Sequence, residues 1–278
     1  MHKGLVYVSS DNVHYDLGSP SLSVGAAEEI RSRVWSINLG SHAIISASRP
    51  AREIELEVKS SDPAALDAAE AAFDRDVDLN KPGRLISPNG WMQQAFVTKT
   101  TPSDIFLGSV IAKLTVVLLD GVWRKEVKHV LKPDTQALIS GSGLDYPHDF
   151  DFDLGGSIPG KDMEFIRDSK VRITFFGPCQ DPYVRIGSNL YGVKGVTVAA
   201  GERVVIDPTL VGEYGRAIRL VGTYGAERNL FSKRIRGAKG SGSYAFEPVA
   251  GGYLPVSWPQ TYGIDIDEIR ERGGLPWS

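Results

Sequence analysis

The only cysteine of the chain, Cys179, lies in the stretch Gly177-Pro178-Cys179-Gln180-Asp181-Pro182-Tyr183-Val184-Arg185-Ile186-Gly187. A thiol close to a carboxylate and an arginine is the first place to look for a nucleophile, because a thiolate forms at neutral pH only with electrostatic help. The flanking residues argue against it. No histidine follows His148, and Pro178 and Pro182 bracket Cys179 directly after the apolar run Val171–Phe176. Two prolines there read as a strand corner, after which Val184 and Ile186 share one face and Tyr183 and Arg185 the other.

The other chemical candidates weaken in the same way. Asp149, Asp151 and Asp153 resemble the opening of a calcium loop, but the glycine falls one place late, at Gly155. Gly160 then stands where a bidentate glutamate is needed. As a strand, the three carboxylates line the solvent side and Phe150, Phe152 and Leu154 the core. His2, His14, His42, His129 and His148 form no H-E-x-x-H pattern and have no metal-spaced partner, so they read as structural or surface residues. Gly237–Ser243 with Arg234, Arg236 and Lys239 is glycine-rich and basic. It lacks the order of a phosphate loop and reads as a mobile basic hairpin loop. There is no G-x-S-x-G elbow and no S-x-x-K. A Ser-His-Asp triad assembled only in space stays open. The sequence therefore assigns no catalytic, cofactor-binding or metal-ligating residue and no cofactor, and it leaves binding residues unknown.

The composition limits the function classes. In 278 residues, 42% are hydrophobic and the formal net charge is −3. That is enough chain for two domains, without the basic field of a nucleic-acid binder. One cysteine excludes an internal disulfide and a multi-thiolate zinc site. Residues 1–17 have no signal-peptide pattern, and Lys113 interrupts the longest apolar run, Val110–Leu119. No segment reaches the roughly 18 apolar residues of a membrane helix. The expectation is a soluble protein made in a cytoplasm-like compartment, with no membrane insertion.

Thirty glycines and sixteen prolines punctuate short β-type segments. In Arg52–Lys59, Ile54, Leu56 and Val58 alternate with Glu53, Glu55 and Glu57, predicting a half-buried strand. A helix follows, capped by Ser61 or Asp62, with Pro63 in its first turn and Leu66, Ala69, Phe73 and Val77 in one stripe. Further strands are expected around 35–40, 42–47, 84–87, 90–100, 110–119 and 122–131, with Asp120-Gly121 as a hairpin turn. Turn residues over 132–143 mark a domain boundary. Beyond it, strands recur every 8–12 residues, as in a β-sandwich or jelly roll.

In the second half an apolar strand ends in Gly177-Pro178, followed by Asp181–Val193, then by a glycine turn leading to Ile206-Asp207. Next come Asn229-Leu230-Phe231, the strand Gly252–Trp258 and a charged tail ending in Pro276-Trp277. In this order the elements resemble the C-terminal domain of siphophage distal tail proteins, the Dit family. The first half matches in outline through its strands, its helix and the segment ending Leu114–Arg124. The resemblance implies a mainly β protein of two domains. Residues 1–138 would be a ring-forming split β-barrel with one α-helix, tail-tube-like, and residues 144–278 a galectin-like β-sandwich.

It further implies a structural phage tail component without enzymatic activity, at the distal end of the tail in the virion and assembled in the host cytoplasm. Six copies would form a hub ring joining the tail tube to the tail tip or baseplate. The implied partners are other copies of the chain, the tail tube protein, the tape-measure protein, the tail-tip hub and a receptor-binding protein. DNA would pass through the lumen without sequence-specific binding. Val110–Leu119 and Val122–Leu131 are the expected intersubunit strands, and loops Asn12–Ser23 and Lys81–Asn89 are expected to order only on assembly. The alternative is a carbohydrate-binding module for host-surface recognition. Against it, no Asn-Pro-Arg element occurs, and the late tryptophan, Trp258, is followed by Pro259.

Overall fold

The computed structural model describes residues 4–25, 27–106, 108–133, 160–210, 214–237, 239–242 and 244–276. The aspartate run 149–153, His2, His148 and most of the expected linker lie outside them. The chain forms two compact units, Met1–Glu126 with Glu271–Ser278, and Val127–Arg270. The sequence reading divides the chain at 138–144 and keeps the tail in the second half. The last residues instead cluster with the first unit, where Leu275 packs on its core, Arg272 sits over the Trp91 ring and Arg31 donates to the Pro276 carbonyl.

The first unit contains β1 (Val6–Val8), β2 (His14–Asp16), β3 (Leu22–Val24), β4 (Ser36–Leu39), β5 (Ile44–Ser48) and β6 (Arg52–Ser60). Then follow α1 (Pro63–Asp78), β7 (Gly83–Ile86), β8 (Met92–Phe106), β9 (Ser109–Leu118) and β10 (Trp123–Leu131), within which the chain passes to the second unit. The main sheet runs β3-β6-β9-β8-β7-β1-β2. It returns on itself where Gly18 bridges Ser23 and Val24 N–H bonds the Leu17 carbonyl. Gly4 and Gly18 touch nearby; a Cβ on either would lie 2.3 Å from the other's Cα.

The alternation in β6 is as expected. Ile54, Leu56 and Val58 are buried, facing a core with Ala112, Leu114, Val116 and Leu118 of β9. The helix α1 packs its Leu66, Ala69 and Phe73 into the same core, and the Phe73 ring meets the Tyr7 ring edge-on at 4.9 Å. Asp62 is its N-cap, its carboxylate accepting from Ala64 N at 3.1 Å. The expected stripe fails at its last position, because Val77 is exposed and Asp76 is fully buried. Asp76 Oδ2 accepts from the Tyr7 hydroxyl at 2.7 Å and Oδ1 from Ser10 N at 3.0 Å. These bonds let a carboxylate occupy the slot that periodicity gives to valine.

Three sequence expectations need correction. Asp120-Gly121 is a turn but not a hairpin, since β9 pairs with β6 and β8 while β10 pairs with β8 at Arg124↔Met92. Gly121 has φ +60°, and a Cβ there would fall 2.5 Å from the Arg49 carbonyl oxygen, so glycine serves close passage as well as the turn. Val110–Leu119 has no open edge for a neighbouring subunit, because β6 and β8 bond both its sides. The loops Asn12–Ser23 and Lys81–Asn89 already contain paired strands, β2, β7 and the start of β3.

The second unit holds β11 (Gly160–Phe165), β12 (Lys170–Phe176), β13 (Cys179–Gln180), β14 (Tyr183–Ile186), β15 (Asn189–Gly192), β16 (Thr197–Val198) and β17 (Arg203–Ile206). A one-turn helix, α2 (Tyr214–Ala217), precedes β18 (Ile218–Val221), β19 (Glu227–Asn229), β20 (Gly252–Ser257) and β21 (Ile264–Arg272). One sheet runs β19-β18-β17-β12-β21 and another β11-β20-β14-β15, and β13 pairs with β16. Side chains of both sheets, among them Ile173, Phe175, Val184, Ile186, Val204, Val256 and Ile266, form one core. The mainly β fold class and the sandwich pattern of the second half are as the sequence indicates.

Candidate assembly surface

The structure places the residues around Cys179 in a corner. Val184 and Ile186 are buried and Arg185 is exposed. The Asp181 carboxylate accepts from Val196 N at 2.8 Å, and Asp181 adopts φ +47°, so it holds the turn. Burial pushes the Cys179 thiol up to about 11, which keeps it protonated at neutral pH. Tyr262 ties the same corner down, its hydroxyl accepting from Tyr183 N at 2.9 Å and donating to the Tyr183 carbonyl at 2.8 Å.

The remaining candidates do not converge. In the glycine-rich loop, Gly240 N donates to Glu247 Oε2, and the Gly242 carbonyl accepts from Leu190 N. A recess of about 420 Å³ lies between this loop and Ile186–Asn189. His129 Nε2 stands 3.9 Å from the fully buried Glu268 carboxylate, which Ser169 and Arg270 also contact. Trp258 is 4% exposed, and its Nε1 donates to the Tyr262 carbonyl at 3.0 Å. A tryptophan so placed cannot offer a face to a sugar ring. Among the described residues, no group of three or more His, Cys, Asp or Glu is set to hold a metal, and no helix is long and apolar enough to cross a membrane.

The features that ask for a partner lie in the first unit. Strands β4 and β5 form a two-stranded ribbon that, among the described residues, pairs with no other sheet. Its register puts Ile37, Ala47, Leu39 and Ile44 on one face, and Ser36, Ser48, Asn38 and Ser46 on the other. The ladder shifts between Asn38 and Leu39 and leaves Ile45 as the extra residue. Every ribbon residue is exposed, Leu39 at 70% and Ile45 at 69%. At the root, the Arg49 guanidinium lies 4.4 Å over the Trp35 ring. A lone two-stranded ribbon is marginal in water, and one with a bare apolar face is the mark of an interaction surface.

A second surface is the outer side of the β6–β9–β8 sheet. Glu53, Glu55 and Glu57 project there opposite Val117, Thr115 and Lys113. Glu29 reaches over the edge of β6 and accepts from Glu55 N at 2.7 Å. Glu28, Glu29, Glu55, Glu57 and Lys113 line a shallow recess of about 320 Å³, so carboxylates outnumber cations. At the far end of the same β8–β9 pair, Phe106, opposite Ser109, is 69% exposed on this outer side, while Ile105, opposite Val110, is on the other face. The sequence shows strands at both places, and the glutamate stripe is legible in it. The bare ribbon was not, because alternation alone does not say whether an apolar face finds a core.

The fold, a self-returning sheet packed by one helix followed by a two-sheet β-sandwich, is similar to those of solved phage hub and baseplate chains. The crystal structure of SPP1 Dit (gp 19.1), described as a paradigm of hub adsorption apparatus in phages infecting Gram-positive hosts, matches with TM-score 0.54 and 11% identity, over 96% of this chain and 98% of that one. A chain of the phage P2 baseplate in its activated conformation with Ca matches with TM-score 0.55 and 12% identity, over 98% of both chains. The Sr form of that baseplate matches with TM-score 0.54 and 12% identity, over 98% of this chain and 99% of that one. No family model and no curated protein matches the sequence.

Proposed function

We propose that this chain is a structural component of a siphophage-type tail, a distal tail protein rather than an enzyme. Its copies would form a hexameric hub ring at the distal end of the tail, joining the tube to the tip or baseplate. The observation that carries the reading is the fold match, which spans both units of the chain and nearly all of each matched chain. Low identity leaves the argument to architecture, and fold alone does not fix function. The exposed ribbon and the acidic sheet face add surfaces that a subunit of an assembly needs. In this reading, the ring contacts the tail tube protein, the tape-measure protein and the tail-tip hub, and the second unit offers a platform for a receptor-binding protein. The buried Trp258 speaks against the carbohydrate-binding alternative.

Light scattering on purified protein at high concentration is expected to show a species of six chains or reversible association towards it. Antibody labelling of tailed particles is expected to mark the tip. A strict monomer that is also absent from particles refutes the proposal.

A further inference from the structure

We infer that the β4–β5 ribbon docks along the outer side of the β6–β9–β8 sheet of a second copy of this chain. This rests on the assembly reading above and names the two unlike surfaces that a cyclic, head-to-tail contact requires.

Three observations support that occupant. The first is charge. From Ser32 to Ala51 the segment contains Arg33 and Arg49 and no carboxylate, whereas the sheet face presents Glu28, Glu29, Glu53, Glu55, Glu57 and Asp104 against Lys59, Lys99 and Lys113. Opposite potentials steer and register such a contact, and like faces repel. The second is polarity along the length. On the ribbon, arginines stand at the root, while Leu39, Ile44 and Ile45 stand towards the Gly40–Ala43 turn. On the same face of the sheet, the glutamates lie at one end of the β8–β9 pair and the exposed Phe106 at the other. The third is reach. From Arg49 to Ile44 is five residues, and from Thr115, opposite Glu55, to Ser109, opposite Phe106 on the same face, is six. At about 3.3 Å per residue the spans are roughly 17 and 20 Å, so the arginine root can lie over the glutamates while the apolar end reaches Phe106.

The test uses full-length protein and two variants, each altering one of the surfaces. Leu39→Asp with Ile45→Asp spoils the ribbon, and Phe106→Asp spoils the acceptor. All three side chains are exposed, so both variants are expected to keep the wild-type melting temperature and circular dichroism, and the comparison is made on chains that do. Each alone should raise the concentration needed for association, read by light scattering and native mass spectrometry, at least about tenfold. Mixed, the two retain one intact ribbon and one intact acceptor, so the mixture should form a one-to-one heterodimer and nothing larger. A charge exchange, Arg49→Glu with Glu55→Arg, should associate better than either single change.

Variants that assemble like wild type, or a mixture that stays monomeric, overturn the docking while leaving the hub reading intact. Wild-type protein that neither associates nor occurs in tails overturns the hub reading and the docking with it.

Discussion

Replacing Trp258 by alanine distinguishes a core tryptophan from a sugar-stacking one. The indole is 4% exposed, belongs to the same buried core as Val184, Ile186 and Val256, and its N–H satisfies the Tyr262 carbonyl. Truncation of a buried tryptophan costs about 3–5 kcal/mol through lost transfer energy and the cavity left behind. The orphaned carbonyl adds about 1 kcal/mol. Because Tyr262 in turn clamps Tyr183, the loss reaches β14 at the corner that holds Cys179. A total of about 4–6 kcal/mol is a large share of the roughly 5–15 kcal/mol typical of a folded protein. Trp258→Phe keeps most of the bulk and loses the donor, and is expected to cost about 1–2 kcal/mol. Urea unfolding followed by far-UV circular dichroism measures both, and hydrogen exchange of the β14 and β20 amides shows where the loss falls. If Trp258→Ala unfolds within about 1 kcal/mol of wild type, the ring is not packed as described and the argument against a glycan site fails.

Asp76→Ala strands the Tyr7 hydroxyl and Ser10 N–H, and should destabilise by about 3 kcal/mol, with Tyr7→Phe costing about 1–2 kcal/mol. The double variant should be less destabilised than the sum; strict additivity in the cycle would show that the bond contributes nothing. Burial raises the Tyr7, Tyr191 and Tyr262 phenols above their ordinary value near 10, with the Asp76 hydrogen bond adding to the effect at Tyr7. Each protonated phenol is favoured by the folded state, so this stabilisation is complete below pH 10 and is lost as pH rises beyond it towards the folded values. Ionisation followed at 295 nm should therefore leave Tyr7, Tyr191 and Tyr262 silent until unfolding; all ten phenols of the chain titrating while it is still folded would contradict this. With the Cys179 thiol at about 11 against an ordinary 9.0, maleimide labelling at neutral pH should be roughly a hundredfold slower than in urea-unfolded protein. Equal rates would mean that the thiol is neither buried nor perturbed.

Much of the local structure was legible because it depends on short-range rules. The β6 alternation, the Asp62 cap with Pro63, and the Val184/Ile186 face of the corner all follow from residue spacing within one element. The misreadings depend on what a distant segment supplies. Val77 lost its place to Asp76 because Tyr7 and Ser10, nearly seventy residues earlier, bring donors to the carboxylate. Asp120-Gly121 has every sign of a hairpin, yet β10 finds β8, a choice made by the whole sheet. The tail after Arg270 was placed by proximity in sequence, whereas Leu275 packs with the first unit.

The candidate assembly surface divides along the same line. The sequence alone determined that the chain is β-rich, that its charge gives no basic nucleic-acid-binding field, and that Glu53, Glu55 and Glu57 face away from their apolar neighbours. Those are properties of composition and of a two-residue period. Only the tertiary structure decided that Ile37, Leu39 and Ile44 remain bare while the equally apolar Ile54, Leu56 and Val58 are covered. An alternating strand carries an apolar face in either case, and burial requires a second surface, which the sheet and α1 provide for β6 and nothing among the described residues of the first unit provides for β4 and β5.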